Sequence, residues 1–86
     1  MKVLYFAWLR SRIGRGEEEL DPPPDVKTVR DLVDWLRARG PGYAAAFAQA
    51  SMIRAAIDQD YASLDQPLGK AHEIAFFPPV TGGGGR

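Results

Sequence analysis

Apolar runs separated by proline and glycine divide this chain into short elements, and their pattern predicts a small α+β domain. Val3 to Leu9 is continuously apolar and rich in aromatic and branched side chains, as expected of a strand covered on both faces. Arg10 to Gly16 is basic and contains Gly14 and Gly16, so it reads as a loop with room for a short helical turn. Glu17 to Leu20 predicts a short edge strand paired with the first. Its charges suit an exposed edge, and Pro22-Pro23-Pro24 ends it.

A helix follows. Thr28 is a good N-cap, and Asp31 three residues later completes a capping-box pattern with Asp in place of Glu. Val29, Leu32, Val33 and Leu36 then fall at i, i+3, i+4 and i+7, forming one apolar stripe. Gly40 and Pro41 supply the stop, so the amphipathic helix runs from Val29 to about Arg39. The alanine-rich stretch Tyr43 to Ala50 predicts a second, shorter helix.

Met52 to Ile57 reads as a strand, with Ile53, Ala55 and Ile57 alternating against Arg54, Ala56 and Asp58. Asp58-Gln59-Asp60 predicts a turn into a short return strand around Tyr61. Ser63 to His72 is a polar connection, and Glu73 to Phe77 is the last strand. Strands around one helical block, the first and last apolar enough to be central, predict a β-grasp arrangement: α+β, one main helix across a small mixed sheet.

The chain then ends unusually. Phe76-Phe77 gives way to Pro78-Pro79-Val80-Thr81, four glycines and Arg86. Glycine lacks Cβ, so such a segment is hard to fix and easy to thread through a narrow channel. The expected division is a domain over residues 1–77 and an extended, flexible C-terminal tail over residues 78–86, with the tail as the working part.

Composition narrows the chemistry. Cysteine is absent, which removes disulfides, thiolate metal sites and a cysteine nucleophile. The single histidine, His72, makes an internal zinc site improbable, and no bound metal is expected. Formal net charge is 0, against the basic excess usual in nucleic-acid binders. The longest apolar run, Val3 to Leu9, falls well short of the ~20 residues that span a bilayer. It is followed directly by Arg10, Arg12 and Arg15 rather than a cleavage site, so the protein is expected in the cytoplasm, away from membranes.

The chain resembles the small subunit of molybdopterin synthase, a family of ubiquitin-like sulfur carriers, over nearly its whole length. The resemblance rests on Lys2-Val3-Leu4-Tyr5-Phe6-Ala7-Trp8-Leu9-Arg10 and Thr28-Val29-Arg30-Asp31-Leu32. Ala55-Ala56-Ile57-Asp58-Gln59 and Leu64-Asp65-Gln66-Pro67-Leu68 extend it, and its most specific part is Glu73 through Gly83. The resemblance implies a non-catalytic subunit with no catalytic residue and no bound cofactor. An adenylyltransferase like the ubiquitin-activating enzymes would use ATP to convert the terminal glycine carboxylate into an acyl-adenylate. A persulfide donor would then leave a thiocarboxylate, and the large catalytic subunit would take its sulfur for cyclic pyranopterin monophosphate. It also implies two carriers on a central dimer of large subunits.

Residue by residue, the resemblance makes Gly83 the sulfur-carrying end and Pro78, Pro79, Val80, Thr81 and Gly82 the tail. The family ends at the glycine pair, whereas Gly84-Gly85-Arg86 follows here, so removal of the extension is expected, after Gly83 or, as second choice, after Gly85. Alternation at the last strand predicts that one of Phe76 and Phe77 faces the core. The other, more naturally Phe77, would join an apolar patch for the large subunit, with Arg10 and its neighbours Arg12 and Arg15 offered to an acidic partner surface. Trp8 and Trp35 are expected in packing, and His72 on a turn without a special role. Three other readings share the pattern in part: a thiazole-pathway sulfur carrier, a ubiquitin-like protein modifier, and a β-grasp binding module that leaves the tail unexplained.

Overall fold

The computed structural model describes residues 1–79. The chain runs through β1 (Lys2–Tyr5), α1 (Trp8–Ile13), β2 (Glu17–Glu19), α2 (Val29–Arg37) and α3 (Pro41–Ala46). A 3₁₀ turn (Ala50–Met52) leads into β3 (Arg54–Ile57), β4 (Asp60–Ala62) and β5 (Glu73–Phe77). The sheet order is β2-β1-β5-β3-β4, with β1 and β5 parallel and the other pairs antiparallel. This is the expected β-grasp: α+β, a small mixed sheet with one main helix across it.

The apolar stripe on α2 is what holds the sheet and helices together. Val29, Leu32, Val33 and Leu36 are buried against Val3 and Tyr5 of β1, Ala55 of β3, and Ile74 and Phe76 of β5. Each such side chain contributes about 1.5–3 kcal/mol by leaving water. An aromatic knot closes the core at one end, where Phe47 meets Phe76 edge-on at 5.1 Å and Phe76 stacks on Tyr5 at 6.5 Å. The capping box forms as predicted. The Asp31 N–H donates to Thr28 Oγ1 at 3.1 Å, and the Thr28 N–H donates to Asp31 Oδ2 at 3.2 Å. Backbone N–H groups of Lys27 and Thr28 hold the Asp31 carboxyl below the usual carboxylate range.

The largest departure from the pattern lies after β1. The strand expected over Val3 to Leu9 stops at Tyr5, and Trp8–Ile13 is a helix rather than strand and loop. Phe6 makes the last ladder bond, its N–H donating to the Phe76 carbonyl at 3.1 Å. Ala7 then turns the chain with φ 56° and ψ −137°. The helix puts Leu9 in the core and ends at Gly14, whose left-handed φ of 92° lets its N–H reach the Arg10 carbonyl at 2.8 Å. Burial of Leu9 with Ile13 packed beside the core, an i, i+4 pair, favours helix over an extended run that would leave one of them outside.

Two smaller shifts have the same kind of cause. The second helix starts at Pro41, not Tyr43, because proline serves as its first residue as well as the stop for α2. It ends at Ala46, and Phe47 leaves the helix to enter the core. β3 begins at Arg54 because Ala50–Met52 forms the 3₁₀ turn.

Candidate functional site

β5 is the central strand, and its C-terminal end carries Phe77, Pro78 and Pro79. Because β1 runs parallel to β5 and β3 antiparallel, Phe6 and Arg54 arrive at the same end of the sheet. The register sorts the two sheet faces. One carries Val3, Tyr5, Ile74, Phe76 and Ala55 into the core shared with the helices. The other carries a row formed by Tyr61, Ala56, Ala75 and Leu4, with Phe77 and Arg54 paired one step nearer the chain end.

This second face is the exposed apolar surface. Tyr61 is 85% exposed and Phe6 48%, whereas the exposed Met52 lies on the helical side with Trp8 and Arg12. Tyr61 and Phe77 meet with ring centroids 5.9 Å apart. With Arg54, Ala55, Ala62 and Ser63 they line an open depression of about 390 Å³ beside the root of the chain end. Arg54 donates to the backbone carbonyls of Ser51 at 3.2 Å and Ile53 at 3.1 Å. The opposite end of the face is acidic. There Asp58 Oδ1 accepts from the N–H groups of His72 and Glu73, both at 3.0 Å, and thereby pins the start of β5.

The predicted residues separate clearly on this frame. Phe76 is fully buried and has no surface to offer a partner, so its place is in the core rather than at an interface. Phe77 is half-buried on the open face, and Pro78 and Pro79 are half-buried at its edge. Arg10 is exposed on α1. Its expected companions are engaged within the chain: the Arg12 guanidinium lies 4.6 Å from the Trp8 ring centroid, and Arg15 pairs with Glu18 at 3.1 Å. Trp8 and Trp35 are half-buried, and His72 is exposed. Val80, Thr81, Gly82, Gly83 and Gly85 lie outside the described residues.

Sequence reasoning missed Phe6 and Tyr61. Phe6 shares the parity of Lys2 and Leu4 and so points to the open face, a signal hidden by reading the whole run as doubly covered. Tyr61 lies opposite Ala56 on a three-residue edge strand, which leaves an aromatic ring with little to cover it.

A second missed feature supports the scaffold. Glu18 on β2 points to the core side, opposite Val3. Its Oε2 accepts the hydroxyls of Tyr43 at 2.6 Å and Tyr5 at 2.8 Å, while Oε1 faces Arg15 at 3.1 Å and Arg39 at 3.5 Å. Burial alone would raise this carboxyl. The hydroxyls of Tyr43 and Tyr5, with Arg39 and Arg15, outweigh it and hold the group below the usual carboxylate range. Burial, and then the bond to Glu18, push both tyrosine hydroxyls up. The cluster carries a part-buried charge with four partners. Its work is structural.

Comparison with known proteins fits this geometry. The ThiS family model matches residues 3–83, so the match runs through the open face, the root of the chain end and Gly82-Gly83. The molybdopterin synthase sulfur carrier subunit of Escherichia coli (strain K12) is 39% identical over 83 residues, covering 96% of this chain and 99% of that one. The same-named subunit of Haemophilus influenzae is 35% identical over 96% of this chain and 99% of its own. A solved structure from Pyrococcus furiosus, described as molybdopterin converting factor, subunit 1, superposes with a TM-score of 0.72 at 30% identity, covering 92% of this chain and 95% of that one. The family match over residues 3–83, with relatives similar along nearly the whole length, makes this chain a member of the ThiS family.

Proposed function

We propose that this chain is the sulfur-carrier subunit of a molybdopterin synthase, working in the cytoplasm as a substrate and carrier for its partners. The observation that carries the reading is the family match ending at residue 83, on the second glycine of Gly82-Gly83. The names of both curated relatives favour this reading over a thiazole-pathway carrier.

The chemistry needs a free glycine carboxylate. In an adenylyltransferase partner the carboxylate attacks the α-phosphorus of ATP and pyrophosphate leaves. The terminal sulfur of a persulfide donor then attacks the acyl carbon and AMP leaves; a thiol attacks the donor-side sulfur of the resulting acyl disulfide, forms a disulfide with it and releases the thiocarboxylate. In the large subunit that sulfur passes to cyclic pyranopterin monophosphate. Glycine leaves the reacting carbonyl uncrowded on both faces. Pro78 and Pro79 favour an extended course, and from Pro78 to Gly83 such a course spans roughly 20 Å. Residues 78–86 therefore act as a tail on a domain of residues 1–77.

Docking uses the surface at the tail root. Phe77, Tyr61 and Phe6 supply apolar contact and Arg10 supplies charge, with Phe76 only supporting Phe77 from beneath. In the assembled synthase, two carriers sit on a dimer of large subunits.

Gly84-Gly85-Arg86 must leave first, because only a terminal carboxylate can be adenylated. Hydrolysis after Gly83 gives the competent end. The test is the intact mass of the protein from its own cells, beside reconstituted activation of chains ending at Gly83, Gly85 and Arg86. A native chain ending at Gly83, part of it with one oxygen replaced by sulfur, supports the reading. Sulfur accepted by the chain ending at Arg86 overturns the processing step. No sulfur on any form, native or reconstituted, overturns the carrier function.

A further inference from the structure

The nucleophilic nitrogens of this chain gather at one end of the domain, and the chain end leaves from the other. Lys2, Lys27 and Lys70 are its three lysines, and His72 is its single histidine. Lys2 opens β1 opposite Glu73, the first residue of β5, and its backbone N–H donates to the His72 carbonyl at 2.9 Å. Lys70 precedes that strand start by three residues. The Leu68 N–H donates to the Lys27 carbonyl at 2.8 Å, which keeps Lys27 beside the same loop. The Met1 ammonium lies there too, held by Glu19 at 2.7 Å and the Leu20 carbonyl at 2.9 Å.

Among the described residues, the cations at the opposite end are arginines. Arg54 pairs with Phe77 at the last step of β5. Arg10 and Arg12 stand on α1, which begins two residues after the Phe6 N–H meets the Phe76 carbonyl at 3.1 Å. Arg15 adjoins Gly16, whose carbonyl accepts the Tyr5 N–H at 2.9 Å in line with Phe76. The two kinds of cation differ in front of an activated carbonyl. A lysine amine that gives up its proton is a nucleophile, whereas a guanidinium in a protein keeps its proton and is not. Cysteine, the stronger nucleophile, is absent.

We propose that this segregation protects the activated chain end from its own domain, a role that rests on the carrier function proposed above. Arginine supplies positive charge at the root of the tail without supplying an amine. The reaction prevented is aminolysis. A neutral lysine amine attacks the acyl carbon, a C–N bond forms, the C–O bond to AMP breaks, and the amine's proton passes to water. The product is a chain closed on itself by an amide, and its end no longer takes sulfur. Distance supplies the protection. From Pro78 to Gly83 an extended course spans roughly 20 Å, so an amine at position 54 stands at the start of that reach. Lys2 is met only by a chain that doubles back along the roughly 13 Å of β5, against the course favoured by Pro78 and Pro79. The effective concentration of an amine at the far end is correspondingly low.

The experiment uses the chain ending at Gly83, which keeps every described residue, with a C-terminal alkyl thioester so that no activating partner takes part. Arg54→Lys and Arg12→Lys, on the two flanks of the chain end, are compared with the parent by intact mass and peptide mapping. An amine that attacks the thioester displaces the thiol, and the closed product is lighter than the hydrolysed acid by one water. The expected result is closure onto position 54 or 12 at least about tenfold faster than onto any amine of the parent. Melting curves identify the folded variants, and if one variant unfolds the other decides. Closure of the parent onto Lys2, Lys27, Lys70 or Met1 at the rate of a folded variant overturns the proposal. So does a folded variant that closes no faster than the parent. Either result leaves the carrier function standing, because sulfur on the native end is measured separately.

Discussion

The Tyr43 hydroxyl on α3 donates a 2.6 Å hydrogen bond to Glu18 on β2, tying the helical layer to an edge strand paired on one side alone. Tyr5 reaches the same oxygen from β1, and Arg39 approaches from the segment between α2 and α3. One carboxylate thus joins β1, β2, α3 and the segment between α2 and α3. Removing a partner leaves charge buried without compensation, which costs more than the bond itself contributes.

Tyr43→Phe is therefore expected to lower stability by about 1–2 kcal/mol, and Glu18→Gln by about 1–3 kcal/mol, at neutral pH. The acid response follows from the depressed Glu18 carboxyl. Its contribution is complete above the unfolded carboxylate value of about 4.3 and is lost as pH falls through the lower folded value. Urea titrations of parent and Glu18→Gln should converge between pH 5 and the acid limit. A stability gap that stays constant over that range would remove Glu18 from the acid response.

Ala7 sits at φ 56° and ψ −137°, a region that strains any residue with a Cβ. Relief of that strain is worth about 1–3 kcal/mol, whereas the extra freedom glycine gives the unfolded chain costs about 0.5–1 kcal/mol. The first term is larger, so Ala7→Gly should raise stability by about 1 kcal/mol. Chemical denaturation decides it, and a loss of stability would mean that the methyl group is needed where it stands.

Phe76 and Phe77 are neighbours in sequence with opposite roles. Phe76→Ala empties a fully buried site and should cost about 3–5 kcal/mol. Phe77→Ala and Tyr61→Arg act on the open face, so they should leave most of the stability intact and weaken binding to the large subunit by about tenfold or more. Calorimetric titration with that subunit, beside melting curves, separates the two. Equal loss of melting temperature in Phe76→Ala and Phe77→Ala would contradict the face assignment.

The fold was largely legible because its strongest signals are local and agree with one another. The Thr28–Asp31 cap, the stripe from Val29 to Leu36 and the alternation through Ile74 and Phe76 each name one element and one buried face. The turn at Ala7 was not legible, since alanine gives no warning of a left-handed φ and an apolar run of this length fits strand or helix. The Glu18 cluster was hidden for another reason. Three consecutive glutamates read as an exposed edge, and only pairing to Val3 decides that the middle one turns inward. The open face needed the register of four strands at once. Tyr61, Ala56, Ala75 and Leu4 are far apart in sequence and meet only when those pairings are known.

Gly42 tests how closely α1 and α3 approach. A Cβ built there would stand 2.6 Å from the Arg12 carbonyl oxygen, a backbone atom that cannot swing aside. Helix propensity argues the other way, since alanine is favoured over glycine inside a helix by about 1 kcal/mol. The clash should win, because α1 is held in place by Leu9 in the core and by the bond closing Gly14 onto Arg10. Overpacking of this kind typically costs about 1–3 kcal/mol. Gly42→Ala is accordingly expected to lower stability by about 1–2 kcal/mol and to speed amide exchange along Trp8–Ile13 more than along Val29–Arg37. Higher stability with unchanged exchange in α1 would show that the two helices separate more easily than their contact suggests.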